Sequence, residues 1–277
     1  MDPSQIFLFA GIAAGAGIVG GTLAGLLGVG GGIVIVPALY FALSMTDMSP
    51  GFVMQVAVGT SLASIIFTSA SSSWGHWKKG AIDTDLLKLW APFILLGTIL
   101  GGIIGGLVSG QVLIAVFALV AFVVALDMIL RKPASGGTGE TRSFSRPVWA
   151  ASGIFAGGIS AMMGIGGGSV CVPVMSFLGY DIRRAVGTSA AIGFVIGLPG
   201  AITYAITGLG QENLPPFSVG YVNLLSLACL VPLTMTFARV GVRLAHSIPQ
   251  SRLRLIFGLF LIATAANMVR DLVSHAG

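Results

Sequence analysis

The sequence predicts an all-α membrane protein, a polytopic helix bundle of two inverted repeats with broken or re-entrant helices at glycine-rich motifs. Three observations predict it. The chain of 277 residues is 55% hydrophobic and only 8% charged, with a mean hydropathy of +0.99, whereas a soluble domain is roughly a quarter charged. A glycine-rich stretch followed by proline occurs twice, as GVGGGIVIVP at 28–37 and GIGGGSVCVP at 164–173, with Pro37 and Pro173 136 residues apart. Basic residues occupy alternate connections between the apolar runs, the pattern that insertion topology imposes.

The elements follow in order. Apolar runs long enough, or nearly so, to cross a bilayer occupy 6–26, 26–43, 52–73, 89–108, 112–130, 148–163, 165–178, 186–207, 217–237 and 253–269, against the roughly 20 residues a spanning helix needs. No basic residue precedes the first run, so it reads as a retained helix rather than a cleaved signal. Between the fifth and sixth runs lies RKPASGGTGETRSFSRP, 131–147, whose Pro, Gly, Ser and Thr content marks a solvated linker. The domains are therefore a first membrane repeat, 1–130, the linker, 131–147, and a second membrane repeat, 148–277. VGTS at 58–61 recurs at 186–189, an offset of 128, while Gly101 with Gly241 and Asp127-Met128 with Asn267-Met268 align at 140. Two homologous halves are the economical explanation.

Loop charge sets the orientation. Lys78, Lys79 and Lys88, the linker with Arg131, Lys132, Arg142 and Arg146, the pair Arg183 and Arg184, and four arginines within 239–254 form the basic set, whereas 44–51, 109–111 and 208–216 contain no Lys or Arg. Basic loops stay in the cytoplasm. The two sets alternate only if 6–43 and 148–178 each return to the side on which they start, as two spans or as a re-entrant hairpin turning at the glycines. A single crossing would use about 38 apolar residues, nearly twice what a bilayer needs. Each half then makes an odd number of net crossings, so the second is inverted, the linker is cytoplasmic and both termini lie on the outer side.

Irregular backbone at membrane depth is tolerated only inside protein or beside a watery cavity. Consecutive glycines, a β-branched run and a proline make a poor continuous helix, and Val36, ahead of Pro37, is biased toward extended geometry. Proline suits the first turn of a helix. Each half is therefore expected to hold an unwound stretch feeding a half-helix whose free N–H groups and dipole face an anion. This makes Gly30, Gly31, Gly32 and Pro37, with Gly166, Gly167, Gly168, Ser169 and Pro173, candidate substrate-binding residues. The alternative is close helix packing, the role expected of Gly97, Gly101 and Gly105 at small-xxx-small spacing. A dinucleotide-binding reading of Gly28-Val29-Gly30 lacks the strand and βαβ unit it needs.

Thr60, Ser61, Thr188 and Ser189 add candidate hydroxyl donors, although such residues also bond the backbone one turn earlier. Arg183 and Arg184 could draw anions into a vestibule. Of nine acidic residues only Asp127 falls within an apolar run, and His76, His246 and His275 fall outside them. Proton-relaying pumps carry such groups in the membrane, so the expected pathway is neutral and binds an anion through dipoles and hydroxyls. No metal or other cofactor and no catalytic residue is expected. Cys171 and Cys229 lack metal-ligand spacing and read as packing groups. The net charge of +5 follows from topology and does not argue for nucleic acid.

The chain resembles the TauE/SafE family of sulfite and organosulfur anion exporters in GLLGVGGGIVIVPAL at 25–39, its echo at 164–173, both VGTS stretches and KKGAID at 78–83. The resemblance implies a secondary transporter, not an enzyme, that moves sulfite, a sulfonate or a related small anion across the bacterial inner membrane. It leaves open which anion, the coupling ion and whether the chain forms a homo-oligomer. Two other readings are a membrane-embedded thiol enzyme using Cys171 and a passive anion channel.

Overall fold

The computed structural model describes residues 3–27, 30–45, 50–130, 145–180, 182–244 and 250–274. Ahead of the linker run α1 (Pro3–Leu27), α2 (Gly32–Ser44), a single 3-10 turn (Pro50–Phe52), α3 (Val53–Trp77), α4 (Thr84–Leu107) and α5 (Gly110–Leu130). After it come α6 (Arg146–Met163), α7 (Gly168–Phe177), α8 (Ile182–Thr207), the short strands β1 (Ser218–Val219) and β2 (Val222–Asn223), α9 (Leu224–Leu244) and α10 (Gln250–Ser274). Residues 131–144 of the linker lie outside the described residues. Among the described residues α3, α4, α5, α8 and α9 are long and apolar enough to cross a membrane. The chain is a polytopic helical membrane protein.

The helices adjoining the glycine motifs are short. At 13 and 10 residues, α2 and α7 rise about 20 Å and 15 Å, against a hydrocarbon core of about 30 Å. α2 folds back on α1, where a methyl group placed on Gly20 would lie 3.0 Å from the Ile35 side chain and 3.2 Å from the Gly31 carbonyl. α1 and α2 thus form a helical hairpin whose second arm is the shorter.

The major helix contacts join the two halves reciprocally. α1 packs on α9 and α4 on α6; α3 packs on α9 and α4 on α8; α3 crosses α8, and α5 lies on α10. The reciprocity reaches single residues. Gly21 abuts the Thr234 carbonyl as Gly157 abuts that of Ile94, and Gly241 abuts the Thr22 carbonyl as Gly101 abuts that of Gly158. These pairs interchange under the offsets of 136 and 140 found in the sequence. Gly97 likewise packs on the Ile154 carbonyl, the use that small-residue spacing predicts.

The loops sort into two groups. At one end Gln55 Nε2 donates to the Val108 carbonyl at 3.0 Å, and the rings of Phe52 and Tyr221 lie 5.7 Å apart, which gathers the connections poor in charge. At the other end Arg184 Nη1 lies 3.9 Å from Asp83 Oδ2, which gathers two of the basic connections. The outward faces of α4 and α5 expose Leu96, Leu100, Ile104, Leu119, Phe122 and Val123, apolar surface suited to lipid.

Candidate substrate site at the junction of two glycine turns

The two glycine motifs differ at corresponding described residues, Gly30 and Gly31 being left-handed and Gly166 and Gly167 not. Gly30 and Gly31 have φ of 73° and 78°, the left-handed region in which glycine carries no Cβ penalty. The Gly31 carbonyl then accepts from the N–H groups of Val34 and Ile35, both at 3.1 Å, and starts α2. In the second turn the left-handed residue is Gly164, φ 68°, which ends α6. Gly167 has an ordinary φ of −54°, and its carbonyl accepts from the Cys171 N–H at 2.6 Å.

These turns touch. A methyl group on Gly30 would lie 3.0 Å from Gly166 Cα, and one on Gly32 would strike the Gly164 carbonyl and lie 2.9 Å from Ile165 Cα. Ile65 of α3 borders Gly30, Gly32 and Gly197 together. The junction therefore sits where α3 and α8 cross antiparallel, with Leu62 beside Gly200 and Ser69 beside Gly193.

The first turn of each helix leaves N–H groups without intrahelical partners. Pro37 and Pro173 stand at the sixth residue of α2 and α7, in the second turn rather than the first. Each glycine turn already supplies the helix start, so the proline instead removes an interior bond. The carbonyls of Ile33 and Ser169 thereby lose their helical donors. At Ser169, 5% exposed, the side-chain Oγ also has no partner. The second turn is thus the more polar of the two, since Ile33 occupies the corresponding place in the first. Pro37 faces elsewhere, into an apolar crevice of about 260 Å³ between α1, α2 and α10 shared with Val19, Val34, Phe41, Phe260 and Thr264.

The Gly-Thr-Ser pairs separate. All four hydroxyl residues are fully buried. Ser61 Oγ donates to the Gly164 carbonyl at 2.7 Å and so braces the opposite turn, while Ser189 Oγ donates to the Val186 carbonyl of its own helix at 2.8 Å. Thr60 Oγ1 accepts from the Asn223 N–H and Thr188 Oγ1 from the Asp83 N–H, each at 2.9 Å. Thr60 is two residues from Leu62, which packs beside Gly200, and Gly200 is twelve residues along α8 from Thr188, about 18 Å of rise. The threonines therefore occupy opposite ends, and the glycines form the central group with Ser61, Ser169 and Ser189, whose carbonyl a methyl group on Gly167 would approach to 3.0 Å. Ser61→Ala should cost about 1–3 kcal/mol by stranding a buried carbonyl, read as a lowered denaturation midpoint in detergent.

At the basic end Arg184 is exposed and faces Asp83, whose other carboxylate oxygen accepts from the Leu86 N–H at 3.0 Å and caps α4. Burial, and secondarily the Asp83 carboxylate, push the Tyr180 phenol above its ordinary pKa. The Arg183 side chain lies outside the described residues.

Sequence reasoning missed two features. His76 and the preceding serines belong to α3, which carries a buried row of Ser61, Ser64, Thr68, Ser71 and Ser72; their helical spacing within an apolar run was the available signal. Asn223 was also missed, although it stands 140 residues from Asp83. Cys171 is a fully buried free thiol and Cys229 a half-buried one, and no group of three His, Cys, Asp or Glu that could hold a metal occurs among the described residues.

The chain matches the family described as sulfite exporter TauE/SafE over residues 13–268. It is 32% identical to a probable membrane transporter protein of Haemophilus influenzae, over 91% of this chain and 95% of the relative. It is 27% identical to the probable membrane transporter protein YunE of Bacillus subtilis, over 92% and 95%. A probable membrane transporter protein of Methanocaldococcus jannaschii is 25% identical over 89% and 92%. No solved structure matches the chain. With the motif carriers in place at the core of a helical membrane bundle, this chain belongs to the sulfite exporter TauE/SafE family of membrane transporters.

Proposed function

We propose that the chain is a secondary transporter exporting a small sulfur-containing oxyanion, sulfite or an organosulfonate, through a site between two inverted repeats. The observation that carries this reading is the contact of Gly30 and Gly32 with Gly164–Gly166 at the crossing of α3 and α8. Two short helices begin there, and helix N-termini favour anions. The reciprocal contacts of α1 with α9 and of α4 with α6 support the inverted relation between 1–130 and 148–277. The sorting of charge-poor and basic loops to opposite ends supports a cytoplasmic linker and outer termini in the bacterial inner membrane. The substrate class is carried over from the family's description.

In this reading the substrate-binding set is Gly30, Gly31, Gly32, Gly166, Gly167, Gly168 and Ser169, with Ser61 bracing the second turn. An anion loses its water there to backbone N–H groups and the Ser169 hydroxyl, without a fixed counter-charge that would hold it too tightly to release. Proteoliposomes should take up sulfite and methanesulfonate in a saturable manner, tested with and without pH and sodium gradients. Absence of flux for every tested anion overturns the reading, and unsaturable conductance indicates a channel.

A thiol enzyme is disfavoured by the complete burial of Cys171, since a reactive thiol needs access and an electropositive setting. Cys171→Ala should retain at least half of the wild-type flux, and loss of flux would restore the thiol reading. Asp127 is half-buried near the end of α5. Asp127→Asn should leave the pH profile of flux unchanged, and a steep profile abolished by that variant would refute a neutral pathway.

A further inference from the structure

We propose that Thr60 and Thr188 are the latches of two gates, each closing one end of the pathway by holding the start of a helix from the opposite half. The inference rests on the transporter reading above, but its own evidence is the pair of hydrogen bonds. Asp83 caps α4 through the Leu86 N–H at 3.0 Å, and Asn223 caps α9 through the Ser226 N–H at 2.8 Å. In both cases the cap's side chain is engaged with its own helix, which leaves its backbone N–H for a partner outside. A Gly-Thr-Ser threonine takes it each time, Thr188 at Asp83 and Thr60 at Asn223, both at 2.9 Å.

A cluster of tilted and edge-to-face aromatic rings accompanies each latch. Beside Thr60, Tyr221 lies 5.7 Å from Phe52 and 6.4 Å from Tyr204. At the Thr188 end, Trp149 lies 6.1 Å from Tyr180 and 5.7 Å from Trp90. The central junction lies between these two ends, and both latches are made in this structure. One hydrogen bond is worth enough to bias a gate without locking it, since a net contribution of about 1 kcal/mol shifts a two-state equilibrium roughly fivefold. The latches also differ. Asn223 Nδ2 additionally binds the Pro216 carbonyl at 2.9 Å and Ser218 Oγ at 3.0 Å, whereas Asp83 has an exposed Arg184 at 3.9 Å, a contact of small energy. The Thr188 gate is the weaker one.

The test uses sided thiol labelling of oriented vesicles in a Cys171→Ala, Cys229→Ala background, with Ser169→Cys as the central reporter and Ile65→Cys as a second. Thr188→Val keeps the side-chain shape and removes the acceptor. It should raise labelling by an impermeant maleimide about fivefold to tenfold from the face bearing Lys78, Lys79 and Arg184, and not from the other. Thr60→Val should do the reverse, and Thr188→Ser and Thr60→Ser should label like the parent. The opposite directions separate gating from general loosening, which would raise both sides together. Equal changes from both faces, the same face in both variants, or no change in either overturns the proposal. Sided labelling together with no anion flux in the wild-type protein would instead leave the latches standing and refute the transporter reading.

Discussion

Gly31→Leu and, separately, Gly167→Leu are expected to abolish anion flux in proteoliposomes while the protein still inserts and is recovered from detergent as a single species. Gly31 sits at φ 78°, and a Cβ there would approach the Gly20 carbonyl to 2.6 Å. A left-handed non-glycine residue costs about 1–2 kcal/mol, and the carbonyl belongs to the backbone of α1, which cannot swing aside. The turn must therefore re-form, moving the start of α2 away from Gly166. At Gly167 the backbone is unstrained, and a Cβ would meet a methyl of Ile192 at 2.8 Å and the Ser189 carbonyl at 3.0 Å. Alanine should accordingly be tolerated better at 167 than at 31, because only position 31 also demands a left-handed backbone. Leucine at either place fills space beside the junction. Normal flux in both leucine variants would return these glycines to a packing role.

Gly157→Leu is expected to be more damaging still, preventing assembly of the bundle and leaving little monodisperse protein after extraction. A Cβ at Gly157 would overlap the Ile94 carbonyl and lie 2.9 Å from the Thr98 nitrogen. The overlap is backbone against backbone, so α4 and α6 can relieve it only by moving apart. That would also break the close approaches of Gly97 to Ile154 and of Gly101 to Gly158, in a setting where van der Waals packing supplies much of helix association. Gly158 is the internal control. Its Cβ would meet only the Gly97 carbonyl, at an ordinary 3.5 Å, so Gly158→Ala should be neutral or stabilising by up to about 1 kcal/mol from helix propensity. Equal yields from Gly157→Leu and Gly158→Ala would contradict the packing described here.

The contrast between the glycine turns and the threonines shows what the sequence could convey. Offsets of 136, 128 and 140 identified which residues correspond, and the helical class followed from hydropathy and loop charge. Correspondence does not say whether two equivalent residues meet. In the proposed inverted arrangement only residues near the relating axis come together, as Gly30 does with Gly166. Thr60 and Thr188 lie off it, and each meets a helix cap of the other half instead. The same limit explains Pro37, whose spacing to the glycines was plain but whose exposure to the α10 crevice depended on how α2 folded back. The serine row of α3 was overlooked because hydroxyls count as polar on a hydropathy scale, whereas one turn of helix can satisfy them. Ser64 and Thr68 do so by donating to the Ser61 and Ser64 carbonyls.

The central claim is that the two glycine turns together hold the anion. Equilibrium titration of purified protein with sulfite and with methanesulfonate tests it most directly, comparing the wild type with Gly31→Leu and Gly167→Leu. The prediction is saturable binding of at least one anion at one site per chain, lost in each single variant because both turns contribute. No binding to the wild type, or undiminished binding after either substitution, would contradict it.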